Sequence, residues 1–494
     1  MITRRQMLKT TAATGVLGFA ATIPGLGGAM AQNGLPLRRS LQGMAIDDPV
    51  LEAYREFVTK MRDPNSGLPI NWVQFANIHG FQGGGFNLCP HSNWYFLPWH
   101  RAYVQMYEVA IREVTGMSDF AMPYWDWTND PGFPAAFGDA QVNGQDNALF
   151  IAGRAMSTGD KIPVSQTGQA VMDSIYSKQT YQEFGSAMPR GQNNLDQSWI
   201  ISRGTKGELE SNPHDNVHCD VAGPFMCAPP SPQDPIFMMH HGNIDHIWAK
   251  WNSLGRANST NPLWTDMPFQ NNYLHPDGSQ YTMTVNQLYN VEDLGYTYGL
   301  SAPTQPAIVD PGRELYLSAL FGGSGAAGMV PNRTVQAAGV AEPGNPLNVA
   351  LSLHQSVDLN NAIAISNSSQ GMTLGASGSS APTVYAMIRG LMPDSGSTTK
   401  LRIFVNQPDA NADTPTDGNP NYVTTVGFFG HEGMEGGHGG HDGTDVAVDL
   451  TQSLKVLGAT GSALSNDVTV QIVAIGTNGE PANVTVGEVE LAVV

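Results

Sequence analysis

The sequence predicts a mainly α-helical domain followed by an all-β sandwich domain. Three observations carry that reading. Before about residue 255, apolar residues recur at helical spacing in long segments. After about Leu320 the composition turns to Gly, Ala and Pro. Beyond that stretch come short β-branched runs separated by turn residues, the pattern of antiparallel strands. A chain of 494 residues is too long for one core and suits two domains with an extension.

The extension comes first. Thr3-Arg4-Arg5-Gln6-Met7-Leu8-Lys9 precedes an apolar run from Thr11 to Gly28 and an Ala29-Met30-Ala31 ending. Residues 1–31 therefore read as a twin-arginine signal peptide cut before Gln32, and not as a membrane anchor, since Gly and Pro break the run near its end. An exported protein, periplasmic or secreted, is expected. This route carries proteins that fold before export, often around a cofactor.

The first long helix starts at Asp47-Asp48-Pro49, with Asp at the cap and Pro at the first helical position. Val50, Leu51, Tyr54, Phe57, Val58 and Met61 carry its buried face to about Arg62. A second helix runs from about Leu97 to Val114, beginning at Pro98 and ending before Gly116; a third starts at Asp234-Pro235 and runs to about Asn252, with Gly255 as its stop. Residues 32–325 form the first domain, 326–346 a linker and 347–494 the second domain. Its strands include the segments around Val349, Ile403, Val470 and Leu491.

Charge excludes one class of partner. Loss of Arg4, Arg5 and Lys9 with the signal leaves 21 basic residues against 43 acidic ones, a net charge of about −22. Phosphate recognition needs clustered Lys and Arg, so nucleic acid is not an expected partner. Cys89, Cys219 and Cys227 are too few for a disulfide framework. In an oxidising compartment Cys219 and Cys227 can pair across a short loop, which leaves Cys89 odd.

The informative histidines fall into two clusters: His79, His91 and His100, then His214, His218 and the pair His240-His241. The i,i+4 spacing of His214 and His218 sets both imidazoles on one helical face, which suits a shared metal and equally a solvated polar face. Adjacent histidines on a helix point about 100 degrees apart, so only one of His240 and His241 can join that metal. His241 shares a face with Asp245 and Trp248, and we assign it as the ligand with His240 behind it. Asp245 is expected to accept the far N–H of a nearby imidazole. His100 heads a core-facing stripe with Tyr103, Val104 and Tyr107, where a histidine is commonly a hydrogen-bonded core residue. His79 and His91, however, lie upstream on loops that the same core draws together. Three histidines per cluster, with no cysteine pair and no nearby HExxH motif, suit copper, with zinc open on these grounds alone.

The residues His79-Gly80, Cys89-Pro90-His91, Phe96-Leu97-Pro98-Trp99-His100-Arg101, Pro213-His214-Asp215-Asn216-Val217-His218 and Asp234-Pro235 through His240-His241 to Asp245 resemble the two copper signatures of the tyrosinase and polyphenol oxidase family. The resemblance spans roughly Leu41 to His275 and, with the twin-arginine signal, is to a bacterial type-3 dicopper protein. It implies a four-helix bundle that holds two copper ions, one on His79, His91 and His100 and one on His214, His218 and His241. Relatives with Cys-x-His at this position join the sulfur to a ring carbon of the histidine, so it also implies a thioether cross-link between Cys89 and His91. A plain buried thiol, or a disulfide to Cys219 or Cys227, is the alternative.

The activity implied is oxidation of small phenols and o-diphenols to o-quinones with O2, as in tyrosinase and catechol oxidase. An o-aminophenol oxidase and a reversible O2 carrier of the haemocyanin kind are the alternatives; one copper domain behind an export signal favours the enzyme. Family members hold a water for phenol deprotonation between a Glu just before the second signature and an Asn after its first histidine. Glu210 matches that Glu. Asp215 stands where Asn is usual, and an ionised Asp cannot donate a hydrogen bond, so diphenol oxidation is expected to outrun monophenol hydroxylation. Phe225 and Met226 are candidates for a lid over the second copper. Leu401 to Asn411 and Val426 to His431 resemble the C-terminal region of long polyphenol oxidases, where such a domain can shield the copper site. The loop from Gly430 to His441, with three histidines and a methionine, reads as an exposed connection or a copper-capturing segment.

Overall fold

Asp48 opens the first long helix, α1 (Pro49–Arg62), by accepting the Val50 N–H at 3.0 Å, while Pro49 brings no N–H to satisfy. α2 (Phe96–Thr115) ends at Gly116. α3 (Asp215–Val221) is short and is entered through a wide π-type turn over Glu210–His214, where Pro213 has no N–H to give. α4 (Ile236–Ser253) follows Asp234-Pro235. α2 packs against α1 and α4, and Phe57, Trp99, Tyr103, Phe237 and Trp248 belong to the apolar core between them. The long helices lie within two residues of their expected bounds, because their ends are set by local caps and glycine stops.

This computed structural model describes residues 29–31, 34–301, 311–322, 333–352, 382–394, 398–430, 443–459, 467–476 and 479–494. Residues 1–28, most of the expected signal peptide, and the segment His431 to His441 lie outside the described residues.

Two sheets build the second domain. We label its strands after β1 (Thr205–Lys206) of the first domain: β2 (Leu347–Ser352), β3 (Val384–Pro393), β4 (Thr398–Val405), β5 (Tyr422–Gly427), β6 (Thr444–Asp449), β7 (Asp467–Gly476) and β8 (Glu488–Val493). One sheet has the antiparallel order β5-β4-β7-β2. In the other, β3 pairs antiparallel with β6 and β8. Val349, Ile388, Leu401, Val446, Val470 and Leu491, from both sheets, meet in one core.

Two features correct the sequence reading. Part of residues 326–346, expected as a linker, forms the strands Arg333–Ala337 and Val340–Ala341, the first paired with β8. Gly and Pro mark turns between short edge strands as readily as they mark a linker. The domain expected to be all β also contains a helix, Thr451–Ala459, whose Leu454 and Leu457 enter its core.

The domains are tied together through β1, which pairs in parallel with β6, Thr205 beside Asp445 and Lys206 beside Val446. Lys178 Nζ adds an ion pair to Asp449 at 2.6 Å while also reaching Glu208 at 3.0 Å. Lys400 on β4 pairs with Asp220 on α3. β5 then runs into Gly427-Phe428-Phe429-Gly430, which lies on α3. A Cβ on Gly427 would sit 2.6 Å from Asp215 Cβ, and one on Gly430, where φ is +78°, would sit 2.3 Å from Phe86 Cζ. Only glycine allows this approach at both ends of the turn. Among the described residues, no helix is long and apolar enough to cross a membrane.

Candidate metal centre

His79, His91 and His100 converge with Cys89, one donor atom from each lying within 4.8 Å of the others. His79 follows the short helix Trp72–Ala76, His91 precedes α2, and His100 projects from the core face of α2. His79 Nδ1–H donates to Pro229 O at 2.7 Å, and His100 Nδ1–H donates to Phe96 O at 2.8 Å. A carbonyl only accepts, so both rings are fixed with the Nε2 lone pair free. Cys89 Sγ lies 3.6 Å from His91 Nδ1 and 4.0 Å from His91 Nε2, in contact with the ring. It also lies 3.2 Å from His100 Nε2. Cys219 and Cys227 form a disulfide, and Cys89 is the free, buried thiol.

His214, His218, His240 and His241 form the second group. His218 Nδ1–H donates to Met226 O and His214 Nδ1–H to Asp215 Oδ1, both at 2.8 Å. His218 Nε2 faces His241 Nε2 at 3.1 Å. The neighbouring His240 is held differently: Trp127 Nε1–H donates to its Nδ1 at 3.2 Å. Its own proton must then sit on Nε2, which leaves no lone pair for a metal.

Burial lowers every one of these imidazoles, His79 and His240 to about 3 and the others well below the usual histidine range. They are therefore neutral, the form that binds metal. The buried Nε2 atoms of His79 and His214 have no hydrogen-bond partner, a deficit that a metal ion would remove. All-imidazole donor sets fit copper. The groups adjoin: the His100 and His241 rings stack at 4.3 Å, inclined by 11°, and the His91 and His214 centroids are 5.8 Å apart.

Phe429, from the second domain, fills the space over both groups. Its ring stacks on His218 at 4.0 Å and lies 5.1 Å from His91, 5.5 Å from His214 and 6.1 Å from His79. Gly430 N–H ties the turn to Cys227 O at 3.2 Å. Of the expected lid residues, Met226 is buried and its carbonyl supports His218, while Phe429 covers both groups. The resemblance marked Val426 to His431 as part of a region that can shield the copper site but did not single out Phe429, whose partners lie in the other domain.

Glu210 and Asp215 are both fully buried. Glu210 Oε1 accepts the Ser92 N–H at 2.6 Å, and Oε2 accepts from Ser186 Oγ. Asp215 Oδ1 accepts from His214, and Oδ2 pairs with Lys206 Nζ. Burial pushes Glu210 up and Asp215 up to about 7, each opposed by Lys206. Asp245, expected to hold an imidazole, instead accepts from Arg38 Nη1 at 2.8 Å, Tyr296 Oη at 2.7 Å and Tyr298 Oη at 2.8 Å, and pairs with Arg101. The arginines, brought in by distant segments, outcompete a neutral ring for a buried carboxylate.

A family model described as the common central domain of tyrosinase matches residues 69–155 and 150–254, and a model for a domain of unknown function matches residues 345–493. A tyrosinase of Hahella sp. (strain CCB-MM4) is 24% identical over 90% of this chain and 97% of its own length. Polyphenol oxidase D of Solanum lycopersicum, a chloroplastic protein, is 27% identical over 51% of this chain; the match spans about half of that relative, 48%. Among solved structures, latent apple tyrosinase superposes with a TM-score of 0.61 at 18% identity, covering 94% of this chain and 98% of the other. Latent aurone synthase, a polyphenol oxidase, gives 0.62 at 18% identity over 95% of this chain and 91% of its own. These structural matches extend through both domains.

Proposed function

Since the chain belongs to the tyrosinase and polyphenol oxidase family and is a type-3 copper oxidoreductase, we propose that it oxidises small o-diphenols, and phenols more slowly, to o-quinones with O2. His79, His91 and His100 would hold one copper, and His214, His218 and His241 the other. The observation that carries this reading is the pair of adjoining imidazole groups, in which four Nδ1–H groups are tied to oxygen acceptors and leave Nε2 for metal. Bound there, copper supplies the electron transfer that turns a catechol and O2 into quinone and water.

The chain's own residues set access and proton handling. The apolar turn around Phe429 occupies the approach to the histidines, so a phenol ring enters only when that turn is displaced. Two of the solved chains with this fold are described as latent, and we extend that description to the intact protein here. Glu210 and Asp215 are the carboxylates nearest to proton chemistry, yet both already accept hydrogen bonds. Burial raises both above the usual carboxylate range, but with their oxygens already held by protein donors neither can take a phenol proton without giving up one of those partners, which supports diphenol oxidation over monophenol hydroxylation.

The test is metal content together with turnover. Folded protein loaded with copper should hold two ions per chain and, once the Phe429 turn is displaced, form quinone from catechol with O2 uptake. His100→Ala and His218→Ala should each lose one ion and the activity. Equal activity with zinc alone would sink the copper assignment.

A further inference from the structure

A buried ammonium beside the second histidine group is not used by the reaction. Lys206 Nζ pairs with Asp215 Oδ2, the two side chains being 2% and 0% exposed. The other oxygen of the same carboxylate accepts His214 Nδ1–H at 2.8 Å. Gly427, at the start of the turn that carries Phe429, packs against the same residue, where a Cβ would fall 2.6 Å from Asp215 Cβ. One side chain thus serves a metal-binding ring, a lysine and the covering turn.

We propose that Asp215, neutralised by Lys206, is a positioning residue that couples seating of the Phe429 turn to the orientation of His214. The coupling rests on the reading of His214 as a ligand of the second copper. Two contacts and one energetic argument support it. Lys206 stands on β1, whose partner strand β6 belongs to the second domain, so that domain also places the lysine. Gly427 lies against Asp215 with no room for a Cβ, so the turn seats only when α3 begins where it does. A carboxylate buried without Lys206 would carry an uncompensated charge, which the fold does not tolerate cheaply.

The consequence is reciprocal. Metal on His214 Nε2 would make Nδ1–H a stronger donor, which holds Asp215 in the orientation against which Gly427 and its turn pack. Copper at the second position therefore favours the seated turn, and by linkage the seated turn retains copper by the same factor. Removal of the second domain would release Phe429 and unpair β1 together.

The experiment uses the full chain, without and with copper. Two quantities are read: affinity for the second copper, by competition with a chelator, and amide exchange of the peptide Val426 to Gly430. In the wild type, copper should slow that exchange. Asp215→Asn, which keeps the side-chain shape, should weaken the second copper about 10- to 100-fold, the range for loss of a group that supports a metal ligand. It should also abolish the slowing. Lys206→Met should act in the same direction, whereas Lys206→Arg should stay within about threefold of wild type in affinity, since it restores the charge-assisted pair. If Lys206→Met does not fold, Asp215→Asn and Lys206→Arg decide alone. Unchanged affinity in Asp215→Asn, or a change in only one of the two readouts, overturns the coupling. A wild type that binds no second copper overturns the ligand assignment beneath it, which is a distinct result.

Discussion

The phenyl ring of Phe429 stacks on the imidazole of His218, with centroids 4.0 Å apart and planes inclined by 22°. The two residues come from different domains, so the second domain covers the histidine centre with one side chain on a turn fitted between two glycines. Burial of a phenyl ring stabilises this contact by about 2 kcal/mol, enough to keep the site closed in most molecules and little enough to be reversed.

Phe429→Ala should therefore open the intact protein. Its catechol oxidation should rise about tenfold or more in kcat/KM over wild type, since about 1.4 kcal/mol corresponds to a factor of ten. Gly430→Ala should do the same by another route, because its Cβ meets Phe86 and its backbone is left-handed, a strain of about 1–2 kcal/mol. Assays on untruncated protein decide; a fall in activity for both variants would contradict a covering role.

The adjacent histidines should separate cleanly. His241→Ala should lose one of two coppers. His240→Ala should keep both, because Trp127 holds its Nδ1 and puts its proton on Nε2. Copper counted per chain after dialysis reads the difference, and loss of metal in His240→Ala would reverse the assignment.

Cys89 lies beside His91 at 3.6 and 4.0 Å from its nitrogens. With copper and O2 as oxidant, the protein should lose two hydrogens as the thioether forms, and peptide mapping should join the two residues. Cys89→Ser should show no such mass change. Free alkylation of Cys89 in unfolded, copper-treated protein would mean that no cross-link forms.

The Cys219–Cys227 disulfide closes a short loop that carries both the Met226 carbonyl on His218 and the Cys227 carbonyl on Gly430. Replacing both cysteines with serine should cost about 2–3 kcal/mol in unfolding free energy, as loop-closure entropy predicts. It should also loosen both carbonyls, and a chelator should then remove the second copper faster than from wild type. Denaturant titration and metal-release rates check the two effects separately.

The sequence by itself determined what depends on neighbours a few residues away. Asp48 and Pro49 start α1, Gly116 follows the end of α2, and the angular offset of adjacent helical residues separates His241 from His240. The resemblance of the histidine motifs to the family signatures added the pairing of the two triads. Tertiary structure alone decided which group faces which across distant segments. Asp245 went to Arg38 and Arg101 and not to an imidazole, because segments far apart in sequence bring two cations to it. Lys206, drawn into a sheet of the second domain, took Asp215. Phe429 reached His218 because glycines let one turn approach α3 and Phe86 closely. Helical and strand periodicity is a local property of the chain, whereas the partner of a buried charge or ring is chosen by packing among all segments at once.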